Sequence, residues 1–427
     1  MGKFPKNAMA TSGYGRVVAM QFMRFFRDCN GGVVPLLALG AIPLLGAVGA
    51  AVDYGRASSA RAAMQGALDA AAIMLAKEAQ QNSGGQPGQN AIAYFNANFA
   101  RPEVQNVQVT VAASSAVGGS SLSLSATGSM PTVFMGLMGF STLNISVNSG
   151  AFASADGLGC VLSLDPSASG ATTAQGSTSV NLNGCSLYDN SKSSTALTVG
   201  GSATLSALSV GVVGGLSGNA GITTTQGIRT GVGPVIDPYA NDSFPNFFGC
   251  SQQNFSAKST VTISPGVYCG GMKLDAGANV TLNPGIYYLD GGSLSVNGGA
   301  TLTGTGVTLV FTKKAGSSYP TATINGNATV KLTPPKSGST AGIVIFGDRG
   351  IPVGTTFKFN GGATQYLGGA IYLPTAAISF AGGAGTSTSC TQIIGNTVTF
   401  VGNSSLAINC SNYETKPFSA MVIKLTS

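Results

Sequence analysis

The chain contains no histidine and no tryptophan, and only 8% of its 427 residues are charged. Without histidine there is no imidazole general base, no Cys–His nucleophile pair and no histidine ligand for zinc. The cysteines never recur as CxxC, so the other common zinc pattern is missing too. A soluble α/β enzyme of the cytosol normally carries about 25% charge, far more than this. Beyond residue 157 the acids are few: Asp165, Asp189, Asp237, Asp242, Asp275, Asp290, Asp348 and Glu414, no two of them close in sequence. Glycan-cleaving enzymes need two cooperating carboxylates, and here only the fold could bring such a pair together; Asp275 and Asp290 are the candidates. No GxSxG elbow is present. The net charge is +7, but Lys3, Lys6, Arg16, Arg24 and Arg27 all precede a long uncharged run, and Lys313-Lys314 is the one basic cluster after it. That leaves no footprint for nucleic acid. The sequence therefore predicts a protein that is not an enzyme, with no catalytic residue, cofactor or metal ligand.

The uncharged run is Cys29 to Val52, between Asp28 and Asp53. At helical rise its 24 residues reach about 36 Å, enough for a hydrocarbon core of about 30 Å with some tilt. Pro35 falls in the first turn, and Pro43 lies mid-helix, where a kink is tolerated in lipid. Gly46 and Ala50 form a small-xxx-small pair able to seat a neighbouring helix. The basic residues ahead of the run keep the N-terminus in the cytoplasm and send the rest outward. A cleaved signal peptide is the rival, with Gly49-Ala50-Ala51 as its cleavage site, but the length favours an uncleaved anchor.

Six of the seven cysteines follow the run: Cys160, Cys185, Cys250, Cys269, Cys390 and Cys410. An even number on the oxidising side reads as a structural disulfide set. Six cysteines allow fifteen pairings; neighbours in sequence suggest Cys160–Cys185, Cys250–Cys269 and Cys390–Cys410.

From Asp53 to Gln80 the pattern continues as helix, with an apolar stripe of Ala57, Ala60, Met64, Ala67, Ala71 and Met74. The stretch from Gly32 through Ala76 holds a glycine before the apolar run, a proline inside it, Ala51-Val52-Asp53 with Gly55-Arg56 at its end, and Leu68-Asp69-Ala70-Ala71-Ala72. This segment resembles the N-terminal part of the Tad (tight adherence) pilus-assembly proteins of the TadG/TadE-like type. The resemblance covers about fifty residues. It implies an inner-membrane protein of the Tad/Flp pilus and adherence system, with other pilus components and the inner membrane as partners and a homo-oligomer left open. Pseudopilins of the group are processed after a glycine and carry a glutamate five residues on. Here Gly31 and Gly32 are followed at that distance by Leu36 and Leu37, which favours the uncleaved, TadG-like branch.

Residues 90–155 read as a small α+β unit. A short helix is expected around Ala91–Phe95, alternating strands at Val104–Val111, Leu122–Ala126 and Leu143–Phe152, and a short helix from Pro131 to Met138. The strands are expected to pack on the Ala-rich helix. After Gly157 short apolar runs are set between Gly, Asn and Ser. Pro265-Gly266-Val267-Tyr268 returns as Pro284-Gly285-Ile286-Tyr287. Gly277-Ala278-Asn279-Val280 is echoed around Ala300 and Ala328. Such repeats predict an all-β region wound as a right-handed parallel β-helix; a β-sandwich is the alternative. Asp237–Phe248, with Tyr239, Phe244, Phe247 and Phe248, reads as a loop folded over the side of the stack rather than as an aromatic ligand site. Asp165-Pro166-Ser167-Ala168-Ser169 matches the DxSxS pattern of von Willebrand A metal sites, but an Asp-capped turn explains it as well.

The expected division is a basic tail at 1–28, a transmembrane helix at 29–52, a helical extension at 53–80, a small α+β domain at 81–156 and a β-solenoid at 157–427. The expected role is a single-pass, periplasm-facing structural component of a pilus apparatus. The alternative is a periplasmic protein that binds or cleaves polysaccharide.

Overall fold

The computed structural model describes residues 33–81, 87–116, 119–314, 318–362, 365–382, 390–410 and 412–426. The basic tail, Cys29, and Gly31 and Gly32 lie outside them. One helix, Val33–Gln81, runs unbroken through the expected boundary at residue 52, with Pro43 inside it. Its C-terminal half buries Ala57, Ala60, Met64, Ala67, Leu68, Ala71 and Leu75. The expected stripe is right except at its end: Met74 points outward, 45% exposed, and Leu75 takes the inward place. A second helix, Pro87–Asn98, adds Ala91 and Phe95 to the same core.

Against this helix packs an antiparallel sheet of Gln105–Ala116, Gly119–Pro131 and Thr142–Ala155. Leu122, Leu124, Ala126, Ile145 and Val147 face the helix from it. The approach is close at Gly128, where a Cβ would stand 2.8 Å from Val104 and 3.2 Å from Met64. Only Met135–Met138 of the segment expected to be helical is so, as a 3-10 turn, and Pro131 ends a strand instead. The fourth strand is the last of the chain. Met421–Thr426 returns to pair with 150–155, so the sheet near the long helix is completed by residues expected in the solenoid.

The region between is mostly β and parallel, not a sandwich. Three ladders of parallel strands close around one apolar core. The first ladder takes in 159–163, 186–189, 210–212 and 228–230 on one side, and 391–395, 369–373, 343–347, 307–312, 285–290 and 266–269 on the other. Its strands are buried on both faces, as in Val307–Thr312 and Ile343–Gly347, which is why they read as continuous apolar runs. The third ladder alternates instead: Asn279–Leu282 buries Val280 and Leu282 and exposes Asn279 and Thr281. There Val280, Leu302 and Val330 stack in the register that the Gly-Ala repeat predicts. The Pro-Gly repeat does not set its register in the same way, since Tyr268 pairs with Leu289 rather than Tyr287.

The order of coils in space is not their order in sequence. Residues 391–407 stack directly on 159–183, so the chain begins in the middle of the stack. It winds outward to 230, then restarts at 252 at the opposite end and winds back to its own beginning. Some ten coils at about 4.8 Å apart put roughly 50 Å between those two points. Residues 231–251 make the crossing along the outer side of the first ladder, where Val235, Tyr239 and Phe247 pack on Tyr288, Phe346 and Tyr372.

Candidate functional site

Among the described residues one helix is long and apolar enough to cross a membrane. Leu37, Leu39, Ile42, Leu44 and Leu45 are exposed around it. The covered face begins at Gly46 and Gly49 and reaches Asp53, which is fully buried. What covers it is the loop between Pro131 and Ser141. The Asp53 carboxylate accepts the N–H groups of Val133, Phe134 and Met135 at 3.0, 2.8 and 2.8 Å. These are the donors a short 3-10 turn leaves free at its start. Arg56 stands 3.9 Å from the same carboxylate on its outer side. A Cβ at Gly49 would lie 2.5 Å from the Cβ of Phe134, so only glycine lets the loop lie this close. Gly46 meets the end of the Met138 side chain. The surface expected to seat a neighbouring helix therefore seats this loop. Sequence reasoning missed the pairing of Asp53 with residue 133; its one signal is the bulky, non-alternating run Val133-Phe134-Met135-Gly136-Leu137-Met138.

The six cysteines beyond the helix come together as the neighbour pairs Cys160–Cys185, Cys250–Cys269 and Cys390–Cys410, with Cα separations of 5.7, 5.7 and 4.9 Å. Each marks a place where the chain joins or leaves the stack: its first coil, its restart after the crossing, and its last coil. The remaining exit, at 228–230, is held by an ion pair between Arg229 and the buried Asp156. The Asp156 carbonyl also accepts the hydroxyls of Ser209 and Tyr188, and its N–H donates to Ala420. The small sheet and the stack thus meet at a bonded joint.

The remaining candidates are spent on structure. Asp165 accepts the N–H groups of Ser167 and Ala168 and the amide of Asn396. Burial pushes its carboxyl up, but these donors more than offset that and hold it below the usual range. DxSxS is here a capped turn. Asp275 pairs with Lys273 at one corner, and Asp290 accepts the N–H of Lys314 at another, so the two do not form a catalytic pair. Among the described residues no group of three or more Cys, Asp or Glu is placed to hold a metal ion.

The return segment is locked down by its polar groups. Asp237 accepts the hydroxyl of Tyr372 at 2.8 Å, Arg349 donates to the Tyr239 carbonyl at 2.6 Å, and Lys416 pairs with Asp242 at 2.5 Å. Burial pushes the Tyr239 phenol up, as it does that of Tyr372, which the Asp237 charge raises further. Of the aromatics expected to lie down as a lid, Tyr239 and Phe247 do, whereas Phe248 stays 83% exposed. A shallow cleft of about 610 Å³ beside this segment is lined by Leu158, Pro234, Val235, Ile236, Phe418 and neighbours, none of them charged.

No curated protein and no solved structure matches the chain. A family model does match, over residues 31–76, whose described part takes in the apolar half of the helix, the Asp53 junction and the stripe beyond it. The model is Tad, described as Flp pilus-assembly TadE/G-like, and it is this segment that the chain shares with that family.

Proposed function

We propose that the protein is a single-pass component of a Tad/Flp-type pilus apparatus that acts by scaffolding and contact rather than catalysis. The observation that carries this reading is the unbroken helix Val33–Gln81, which joins the Tad segment to the core of the outer body. An anchor fused to the body in this way holds it at a fixed height above the bilayer. The basic residues at 3–27 support an inner-membrane protein with its N-terminus in the cytoplasm and its body in the periplasm. The disulfides fit that compartment. We take the stack to wind right-handed, as parallel crossover connections nearly always do. Its third ladder offers a face of hydroxyl groups, such as Thr262, Thr281 and Thr303 in register, suited to broad contact with another protein.

Affinity capture of the full chain from detergent-solubilised membranes of a cell that assembles such pili tests the reading. Copurification of pilus components, lost when residues 31–76 are exchanged for an unrelated transmembrane helix, is the expected result. Recovery of none of them would remove the assignment.

A further inference from the structure

We propose that the loop between Pro131 and Ser141 enters the outer part of the bilayer beside the helix, as a second membrane contact of the same chain. The inference rests on the reading of the helix as a span, and it starts from a length. Between Leu37 and Leu45 every side chain but that of Ala41 is exposed, and the loop first meets the helix at Gly46. Even counted from Cys29, the uncharged run up to Leu45 covers only about 26 Å at helical rise, less than a hydrocarbon core of about 30 Å. A core of about 30 Å counted from Cys29 ends near Val48 and so takes in Gly46; counted from Val33, where the described helix begins, it ends near Val52 and takes in Gly49 as well. The loop is in contact with Gly46 and Gly49. From Asp53 down to Gly46 is about 10 Å of helix, and the loop goes down with it.

Its surface suits lipid. Val133, Leu137, Met138 and Phe140 are all exposed, Leu137 at 88%, and the loop has no charged residue. Most of its backbone donors are paired, as a segment at this depth needs. Val133, Phe134 and Met135 donate to Asp53, Thr132 to the Ser141 carbonyl, Leu137 to that of Phe134, Gly139 to that of Gly136 and Phe140 to that of Met135. The buried Asp53 thus has a purpose beyond a turn cap: it closes the backbone of a loop whose side chains face the acyl chains. The alternative occupant, a second copy of the chain, would leave the free helix too short to span.

The chain has no tryptophan, so single-tryptophan variants give an unambiguous signal. Leu137→Trp, Leu44→Trp and Phe248→Trp each replace an exposed side chain, on the loop, on the helix and on the return segment. The full chain is reconstituted into phosphatidylethanolamine/phosphatidylglycerol vesicles containing doxyl-labelled phosphatidylcholine, with the three disulfides verified in each variant. Leu137→Trp is expected to be quenched by the lipid label at least about twofold more than Phe248→Trp, and more by a label near the headgroup than by one deep in the chain. Quenching of Leu44→Trp but not of Leu137→Trp would overturn the inference and leave the span intact. A loop tryptophan shielded from aqueous acrylamide yet untouched by the lipid label would place it against protein, and also overturns it. If neither Leu44→Trp nor Leu137→Trp is quenched, the span itself fails, and the loop inference with it.

Discussion

In the body next to the anchor, four antiparallel strands lie across one helix, and the fourth of them comes from the end of the chain. In the stack, each strand bonds to the coil before and the coil after, and the core is enclosed by the same strands that line it. The body contains none of the three disulfides, whereas the stack has one at three of the four points where the chain joins or leaves it. The difference lies in where each part is open. The sheet is open at its edge and uses the C-terminal strand to cover it. The stack is open at its two end coils, 228–230 and 252–257; one disulfide lies at the second of these, and the other two lie at the internal seam where the end of one run pairs with the beginning of the other. The two parts are therefore expected to unfold as separate transitions, and selective damage can show it.

The largest effect should come from removing residues 421–426. The edge at 150–155 is then unpaired, and trypsin-independent proteases such as elastase should cut freely between 104 and 155 while the stack's thermal transition stays in place. Loss of both transitions together would refute the separation. Next is Phe357→Ala, a fully buried ring in the stack that packs on Phe311, which should cost about 3–5 kcal/mol of the stack's stability and nothing of the body's. Replacing Cys160 and Cys185 together by alanine reopens a loop of 25 residues and should cost about 3 kcal/mol, read as a lower urea midpoint for the stack alone.

A smaller and opposite effect is expected at Asp189. Burial pushes its carboxyl up, and one oxygen is buried without a partner while the other accepts the Ser191 N–H. An acid with a raised folded pKa weakens the fold above that pKa, and the penalty disappears as pH falls through it towards the ordinary carboxylate value. Asp189→Asn should therefore stabilise the stack at pH 7, with the gain shrinking on acidification; a gain independent of pH would contradict the cause given. Last, Thr281→Val on the exposed side of the third ladder should move stability by no more than about 0.5 kcal/mol, measured by the same urea titration.

Much of this was readable in advance where a period governs. The helix stripe from Ala57 to Ala71 follows from 3.6-residue spacing, and the Val280, Leu302 and Val330 stack follows from a Gly-Ala repeat that recurs once per coil. The cysteine pairs follow from proximity along the chain, because each closes a single coil. The order of coils does not follow, because a coil's sequence records which side of each strand faces inward but not which coil is its neighbour. Only the apolar crossing at Val235, Tyr239 and Phe247 betrays that the chain must travel the length of the stack, and it reads equally well as a lid. The Asp53 junction was hidden for another reason. Its partners are backbone N–H groups some eighty residues away, and backbone groups leave no mark in a sequence.

The account stands on an anchored chain whose outer cysteines are all engaged. Cell fractionation followed by thiol counting on the unreduced, denatured protein tests it most directly. The predicted result is a chain in the membrane fraction with one reactive thiol, that of Cys29, out of seven cysteines. A chain in the soluble fraction with all seven thiols reactive would contradict it.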